Sequence, residues 1–335
     1  MFDLTRRKVI TLLCGVAAWP LAARAQRPER MRRIGVLGGG ETPIDPLSDA
    51  PTLAFIESLK QLGWTNGRNV QIDFRWAAAH PARFAILAKE LLDLKPDVVL
   101  ARSNSAVTAF WQESNNVPIV FTQVSDPIGR GFVANLARPG GNITGFSSFE
   151  TSMGGKWLEE LKEIAPKLSR AALLFNPATA PHIAAGYYLR AAEEAGRRSA
   201  IHVLATPVQD ITDMERSIGE FASEPNGGLI VLPDGFTLAH PDLIVTLAAR
   251  FRLPAIYAFR SFAARGGLLS YGGKLMDQYS GAASYVNRIL NGAKPAELPV
   301  QFPSRFELII NLKTAKAFGF DVPPTLLARA DEVIE

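Results

Sequence analysis

Short apolar runs alternate with amphipathic segments along most of the chain from residue 32 onward. The runs RRIGVLGGG and NVQIDFRWA have the pattern of strands, and LAFIESLKQLGW between them has the apolar spacing of a helix. Two helix–strand pairs follow, in RFAILAKELLDLKPDVVLARSN and AVTAFWQESNNVPIVFTQVSDP. Strands and helices that alternate in this way predict a parallel sheet with helices on both faces.

The same order of elements starts again near residue 170. SRAALLFNPAT, YYLRAAEEAGRR and SAIHVLATPV repeat the first strand, helix and strand. MERSIGEFASEPNGGLIVLPDG and PDLIVTLAARFRLPAIYAFR then repeat the two helix–strand pairs. The pattern therefore predicts an α/β protein with two similar doubly wound parallel-sheet lobes and a ligand cleft between them.

The last part of the chain has no counterpart in this duplication. The strand GGLLSYGG and the helix DQYSGAASYVNRILNG, from about residue 268 onward, most simply cross back to complete the first lobe. We therefore assign residues 32–148 and part of 276–335 to the first lobe, and 149–275 to the second. The Gly- and Ser-rich stretch 138–149 is the predicted first crossover.

The first 25 residues have the pattern of an export signal. A charged start at Thr5 to Lys8 precedes the apolar stretch Val9 to Ala18, and Ala23-Arg24-Ala25 has the spacing of a cleavage site. The apolar stretch is shorter than the roughly 20 residues that span a bilayer. We predict cleavage near Ala25 and a periplasmic protein, and the paired arginines indicate the twin-arginine route.

Composition is typical of a globular protein, with 47% hydrophobic and 20% charged residues. The formal net charge of +4 falls to about +1 once the export segment is removed, so the charge gives no reason to expect a nucleic-acid partner. The single cysteine, Cys14, lies inside the export segment. The predicted mature chain thus excludes disulfides, cysteine metal sites and a cysteine nucleophile.

Sequence motifs for catalysis and cofactor binding do not occur. Neither a G-x-S-x-G elbow nor a G-x-x-x-x-G-K-[ST] loop is present, and Gly38-Gly39-Gly40 lacks the spacing of a dinucleotide site. The four histidines fall in different segments, without metal-ligand spacing. We predict no enzyme activity, no cofactor and no metal. An exported α/β enzyme with Asp126 or Asp234 as general base, and a ligand sensor for a membrane receptor, stay open as alternatives.

Ligands of parallel sheets bind at the carboxyl ends of the strands. The residues that follow the predicted strands here are rich in hydroxyl, amide, aromatic and carboxylate groups, which suits a small polar ligand. The candidate ligand-binding residues are Ser103, Asn104, Ser105, Thr122, Gln123, Ser125, Asp126, Asn176, Thr179, Asp234, Tyr257 and Tyr271.

For two of these sites, electrostatics suggests which group of the ligand would bind. Ser103 to Ser105 open a helix near Ala106, so their hydroxyls and amides could hold a carboxylate at its positive end; the alternative is that one of them only caps the helix. Asp234 directly follows a predicted strand and could receive a ligand ammonium, although it could also be a cap.

The other candidates have structural alternatives as well. Tyr257, Phe259 and Tyr271 could stack on an aromatic part of the ligand, or they could belong to the core of their lobe. Asp126 precedes Pro127 and could contact the ligand or form a turn.

The sequence resembles a family of ABC transporter substrate-binding proteins, the group related to tryptophan and tyrosine binders. The segments that carry the resemblance are RRIGVL, LGWTNGRNVQIDFRWA, PDVVLARSNSAV, VPIVFTQVSDPIGRGFVANLARPGGNITGFSSFE, GGKWLEELKEIAP, LPAIYAFRSFAARGGLLSYG and FELIINLKTAKAFG. They cover essentially the whole mature chain, and the block from Val117 to Glu150 is the most specific.

The resemblance implies the periplasmic binding protein type 1 fold, with capture of a small molecule by closure of two lobes and delivery to an inner-membrane permease. It implies an amino acid as the ligand, with aromatic amino acids as the leading candidates because better-known relatives bind them, and a monomeric protein. In the first lobe it places Ser103, Asn104, Ser105 and Thr122 at the ligand. In the second lobe it places Asn176, Asp234 and Tyr257 there. Arg102 departs from the expected pattern, because a smaller residue would be ordinary before the Ser/Asn triplet.

Overall fold

The computed structural model describes residues 30–39, 49–78 and 80–335. The predicted export segment lies outside the described residues, as does Gly40. No helix in the described part of the chain has both the length and the apolar character to cross a membrane.

The first lobe is built on a five-stranded parallel sheet in the order β2-β1-β3-β4-β5. Its strands are β1 (Arg32–Gly38), β2 (Val70–Trp76), β3 (Val98–Arg102), β4 (Ile119–Val124) and β5 (Ile143–Ser147). The helices between them are α1 (Ala50–Gln61), α2 (Pro81–Asp93) and α3 (Asn104–Glu113). Four of the five residues of β3 are buried, because helices cover this central strand on both faces.

The second lobe is built on a seven-stranded sheet in the order β12-β11-β10-β9-β8-β6-β7. Its strands are β6 (Arg170–Phe175), β7 (His202–Pro207), β8 (Gly227–Val231), β9 (Ala255–Tyr257), β10 (Leu269–Gly273), β11 (Phe306–Asn311) and β12 (Glu332–Ile334). All neighbouring pairs are parallel except β10 and β11, which are antiparallel.

Helices connect the strands of the second lobe and cover both of its faces. They are α4 (Met153–Ile164), α5 (Pro181–Ala184), α6 (Leu189–Ser199), α7 (Ile211–Ala222), α8 (Gly235–Ala239), α9 (Pro241–Arg250), α10 (Arg260–Ala264), α12 (Leu312–Phe318) and α13 (Pro324–Arg329). The longest helix of the described ranges, α11 (Leu275–Leu290), follows β10. The order of the first five strands is the same in both lobes, which confirms the predicted fold class of two parallel-sheet α/β lobes.

The division of the last part of the chain differs from the predicted one. The strand near residue 268 stays in the second sheet, where β10 pairs with β9, so the expectation that this strand itself crosses back is wrong. The strand lies within the bounds 149–275 that were assigned to the second lobe. The helix after it, α11, does cross back and packs on α1 through an apolar face that includes Tyr279 and Val286. The chain then returns to the second sheet, where β11 pairs antiparallel with β10.

Within residues 80–335, the chain therefore passes between the lobes three times. The first passage begins after β5, so the stretch 138–149 contains a strand in addition to the predicted crossover. The other two passages flank α11. Hydrogen bonds tie the three together: Ser147 N donates to Gln301 O at 2.8 Å, and Lys274 N donates to Arg305 O at 3.3 Å.

A close contact between α4 and α6 makes Gly154 sensitive to substitution. A Cβ atom at Gly154 would lie 2.1 Å from the carbonyl oxygen of Tyr188, which is too close for any side chain. We expect Gly154→Ala to lower the free energy of unfolding by about 2 kcal/mol, since the helices would have to separate.

Urea unfolding of the variant checks this, with Gly219→Ala in α7 as the matched control. Gly219 has no neighbouring atom nearer than 3.5 Å, so alanine there should stabilise the helix by up to ~1 kcal/mol. Equal effects of the two substitutions would contradict the packing argument.

Candidate ligand-binding cleft

A cleft with a volume of about 310 Å³ opens between the carboxyl ends of the two sheets. The first lobe contributes residues at the ends of β1 to β4, and the second contributes the loops after β6, β8 and β9. Seven of the predicted ligand-binding residues line this cleft: Ser103, Asn104, Ser105, Gln123, Ser125, Thr179 and Asp234. The five that do not line it are Thr122, Asp126, Asn176, Tyr257 and Tyr271.

The amino end of α3 faces the cleft. Ser103 caps this helix, because its Oγ accepts a hydrogen bond from Ala106 N at 3.1 Å. A cap was the structural alternative for one residue of the Ser/Asn triplet. Asn104 Oδ1 accepts from Ser125 N at 3.2 Å. Within the described residues, the backbone amides of Asn104 and Ser105 have no hydrogen-bond acceptor. They remain as donors at the positive end of a ten-residue helix, which is a site suited to an anion.

Arg102, directly before this triplet, is bound on three sides. Its Nη2 lies 2.7 Å from Asp49 Oδ2, its Nη1 donates to Thr52 Oγ1 at 2.8 Å, and its Nε donates to Tyr279 OH at 2.6 Å. The guanidinium thus joins the end of β3 to the start of α1 and to α11. Because Asp49 neutralises its charge, Arg102 is a structural part of the cleft wall rather than a free cation.

Gln123 continues the network that Arg102 begins. Its Oε1 accepts a hydrogen bond from Tyr279 OH at 2.9 Å, and its backbone has a φ of +56°. A positive φ in a residue other than glycine costs about 1–3 kcal/mol and is common at binding sites, where the surrounding contacts hold it in place. Thr122, the preceding residue, is fully buried and does not reach the cleft.

Asp234 caps α8 at the matching position of the second lobe. Its Oδ1 accepts from the amides of Phe236 at 2.6 Å and Thr237 at 3.0 Å and from Thr179 Oγ1 at 3.0 Å, while its Oδ2 accepts from Asn176 N at 3.1 Å. Burial raises the pKa of this carboxyl to about 6, and the four hydrogen bonds oppose the shift. Asp234 therefore has the capping role that the sequence offered as an alternative. Its Oδ2 accepts one hydrogen bond from the described residues, although a carboxylate oxygen can accept two.

Asn176 shapes the loop beside Asp234 without lining the cleft. Its Oδ1 accepts from the amides of Ala178 and Thr179, and its Nδ2 donates to Gln209 O at 2.9 Å. Thr179 does line the cleft, and its hydroxyl is held by Asp234.

Ser125 joins the two lobes at one end of the cleft. Its Oγ lies 2.9 Å from the hydroxyl of Tyr188, which is fully buried in the core of the second lobe. Asp126 forms the turn that follows: its Oδ1 accepts from Gly129 N at 3.0 Å, and its φ is +52°. Asp126 therefore forms a turn, which was the structural alternative to a ligand contact.

The aromatic candidates separate into core and cleft residues. Tyr257 is fully buried and stacks on Phe262 with ring centroids 4.8 Å apart, and Tyr271 stacks on Phe306 at 5.7 Å. Neither tyrosine lines the cleft, and both pack in their own lobe, which is the alternative that the sequence left open. Phe259 does line it.

The cleft wall also contains residues that were absent from the sequence-based candidates, among them two aromatic residues and a histidine. Trp76 lies at the end of β2 and Phe84 in α2, and both are nearly buried. Gly38 makes room for the indole, because a Cβ there would lie 2.8 Å from Trp76 Nε1. The rule about strand ends that selected the other candidates could have found Trp76. No sequence signal indicated His182, which follows β6 in the short helix α5.

Both arginines of the cleft wall are paired with carboxylates. Arg102 pairs with Asp49, and Arg265 pairs with Asp242 at 3.1 Å. A ligand carboxylate would therefore meet the helix amides of α3 rather than an unpaired arginine. The described residues contain no cluster of three or more groups that could hold a metal ion.

Comparisons with known proteins agree with this architecture. The sequence profile of the family described as ABC transporter substrate binding protein matches residues 46–334. A curated relative, the tyrosine-binding protein of Clostridioides difficile, is 23% identical over 289 residues, which cover 86% of this chain and 81% of that protein.

Solved structures share the fold. A conserved domain protein from Vibrio cholerae has a TM-score of 0.82 and 25% identity, covering 91% of this chain and 100% of that one. An ABC domain from Streptococcus pneumonia in complex with L-Trp has a TM-score of 0.81 and 24% identity, covering 90% of this chain and 99% of that one.

The family profile spans nearly all of the described chain, from before α1 to the end of β12. Two α/β lobes with a polar and aromatic cleft between them suit the capture of a small solute. The chain belongs to the family of ABC transporter substrate-binding proteins.

Proposed function

We propose that this chain captures an α-amino acid with an aromatic side chain and presents it to the membrane permease of an ABC importer. The observation that carries the proposal is the amino end of α3, which opens into a cleft with aromatic walls. The protein acts as an exported, monomeric periplasmic component whose signal peptide is cleaved near Ala25.

The carboxylate of the ligand binds at α3. The amides of Asn104 and Ser105 and the hydroxyl of Ser105 supply the hydrogen bonds, and the helix dipole supplies a favourable potential. Because the adjacent arginine is neutralised by Asp49, the helix end is the remaining positive feature of this wall. Ser105 is half-buried, so a carboxylate bound there is partly shielded from water.

The side chain of the ligand packs on the aromatic residues of the wall. Trp76 and Phe84 come from the first lobe and Phe259 from the second, so a ring between them contacts both lobes. A ligand that touches both lobes stabilises the closed arrangement over the open one. The Ser125–Tyr188 hydrogen bond adds to that arrangement.

The ammonium of the ligand is received by Asp234. With a pKa of about 6, this carboxyl is ionised at neutral pH, and its Oδ2 accepts a single hydrogen bond from the protein. A charge-assisted hydrogen bond to an ammonium fits this atom. The tyrosine-binding relative and the L-Trp complex, both below 25% identity, support the same ligand class.

Ligand binding by the mature chain, refolded from denaturant to remove carried-over ligand, tests the proposal. We expect L-tryptophan or L-tyrosine at about 100 times its Kd to raise the free energy of unfolding by roughly 2.7 kcal/mol. Tryptamine and tyramine, which lack the carboxylate, should bind at least about tenfold more weakly, because the amides of α3 lose their acceptor. No shift with any of these amino acids would contradict the proposal.

The Trp76→Ala variant tests whether the amino acid binds in the cleft rather than elsewhere on the protein. It should weaken binding of the same amino acids by about tenfold or more, since it removes a wall of the cleft. The matched control is Trp111→Ala: Trp111 lies in α3 but is 39% exposed and outside the cleft, so the affinity should not change. Calorimetric titration measures both, and recovery of the amino acid unaltered after incubation separates capture from turnover.

A further inference from the structure

The two lobes contact each other through a group of side chains at one end of the cleft. Ser125 Oγ of the first lobe lies 2.9 Å from the hydroxyl of Tyr188 in the second. Tyr187 packs edge-on against Tyr188, with ring centroids 4.8 Å apart, and donates its hydroxyl to Phe149 O at 3.1 Å. His182 in turn packs edge-on against Tyr187 at 5.6 Å. The imidazole is therefore coupled by direct packing to the contact that joins the lobes.

The arrangement of the lobes in this structure encloses the imidazole of His182. The residue is 7% exposed, and both ring nitrogens are buried without a hydrogen-bond partner among the described residues. A buried cation without an acceptor is costly, so the ring fits this place in its neutral form. Because the residue belongs to the wall between the lobes, separation of the lobes gives the ring access to water.

The first lobe places a positive charge near this histidine. Arg130 lies in the segment after β4, where its Nη2 donates to Thr108 Oγ1 at 3.4 Å and its Nε is buried without a partner in the described ranges. Burial, and then the Arg130 guanidinium, lower the pKa of His182 from 6.5 to about 4. A protonated imidazole would therefore meet a like charge from the opposite lobe.

No other titratable side chain around His182 offsets this repulsion. Those of the surrounding segments are Asp126, Glu150, Tyr187, Tyr188 and Asp234. None of them hydrogen-bonds the imidazole, and Asp126 acts instead on Arg130, whose pKa it raises. Burial raises the pKa of Tyr187 to about 12 and raises that of Tyr188 well above its ordinary value, so both tyrosines are neutral at physiological pH.

We infer that closure of the two lobes requires a neutral His182, so that acid favours the open arrangement and release of the ligand. Water solvates the protonated ring when the lobes are apart, whereas Arg130 and burial oppose it when they are together. A proton therefore binds the open state more tightly and shifts the equilibrium towards it. The inference rests on the proposed function for its probe, an aromatic amino acid, and adds how capture by the same cleft is regulated.

Calorimetric titration at pH 7.0 and pH 5.0 tests the inference, with whichever of L-tryptophan and L-tyrosine binds the mature chain more tightly at pH 7.0. A ring whose pKa falls from 6.5 to about 4 on closure allows the Kd to rise by up to about twentyfold over this range. Asp234 titrates in the same range, so the comparison is with His182→Gln, which keeps Asp234 and has no ionisable ring. We expect the rise in Kd to be at least about fivefold larger in the original chain than in this variant.

His202→Gln is the matched control. His202 lies on the edge strand β7, exposed and outside the cleft, so this variant should keep the pH dependence of the original chain. Should His182→Gln lower the Tm, His182→Phe provides a second test, because phenylalanine keeps an aromatic ring beside Tyr187 and does not ionise. Both variants of His182 should show the same reduced pH dependence.

NMR titration of the imidazole signals reads the protonation of His182 directly, and the signal that is lost in His182→Gln assigns this ring. In the ligand-free chain the ring should titrate near its ordinary pKa of about 6.5. With the amino acid at saturating concentration it should stay neutral down to pH 5. A residue with only a structural role would show no such difference between the free and the bound chain.

The outcomes separate the inference from the proposed function. An equal rise in Kd in the original chain and in His182→Gln, or a ring that titrates at the same pH with and without the amino acid, overturns the inference and leaves capture of an aromatic amino acid in place. Absence of binding at both pH values overturns the proposed function and the inference together.

Discussion

Arg102→Ala is expected to lower the free energy of unfolding by about 3 kcal/mol, the largest effect of any single substitution considered for the cleft. The change removes three hydrogen bonds and leaves the carboxylate of Asp49 without its cation. It also removes the donor to the hydroxyl of Tyr279, which itself donates to the side-chain Oε1 of Gln123. Ligand affinity should therefore fall along with stability.

Urea unfolding followed by circular dichroism measures the loss. Arg198→Ala is the matched control, since Arg198 forms an exposed pair with Glu194 four residues earlier and should change stability by less than about 0.5 kcal/mol. Arg102→Lys should be intermediate, because an ammonium keeps the charge but cannot reach three partners in the planar geometry of a guanidinium. A loss in Arg102→Ala as small as in the control would show that the network contributes little.

Asp234→Ala is expected to lower the free energy of unfolding by about 2 kcal/mol at pH 7 and to abolish detectable amino-acid binding. Three backbone amides and the hydroxyl of Thr179 lose their acceptor, while the cost of burying a carboxylate disappears. Because this cost disappears, the net loss of stability is smaller than the summed contributions of the four hydrogen bonds. Asp242→Ala, at an exposed carboxyl of the same cleft wall, is the control and should have little effect on stability.

The difference between Asp234→Ala and the original chain should depend on pH. The carboxyl has a pKa of about 6 in the folded protein against 3.8 when unperturbed, so the folded state binds a proton between about pH 6 and pH 4 that the unfolded state does not. Acidification through this range stabilises the original chain relative to the variant, by up to about 1.4 kcal/mol per pH unit. Unfolding at pH 7, 6 and 5 measures the trend, and a difference that shrinks with acid would contradict the raised pKa.

Local pattern was sufficient to predict the first four strands of each lobe and the longer helices between them. Buried parallel strands such as β3 and β8 are continuous apolar runs, and the helices between them have regular apolar spacing, so each element is encoded within its own segment. The repeated order of elements then predicted two lobes. These are properties of neighbouring residues, which a sequence shows directly.

The partner of a strand is not a local property. The sequence pattern indicated a strand near residue 268 but carried no information about which sheet it would join. Its neighbour β11 begins more than thirty residues later and runs antiparallel, after the chain has visited the other lobe. The predicted assignment of the last segment failed there for this reason.

Only some of the predicted site residues line the cleft, because the direction of a side chain also depends on distant parts of the chain. Residues directly after a strand were expected to line it, and Ser105, Gln123 and Asp234 do. The rule could not say which side of the sheet a residue such as Tyr257 would face, and that tyrosine lies in the core. His182 enters the cleft through the packing of α5, which has only four residues and no periodic pattern.

The return of α11 to the first lobe imposes an order on biosynthesis. The face of the first sheet that contains Ile34 and Val98 is covered partly by α11, whose residues Tyr279 and Val286 are made long after that sheet is complete. On the ribosome, the lobe that is synthesised first therefore exposes apolar surface until the chain has passed Leu290. A chain truncated after β10 would keep this surface uncovered, and it would aggregate rather than fold into an isolated lobe.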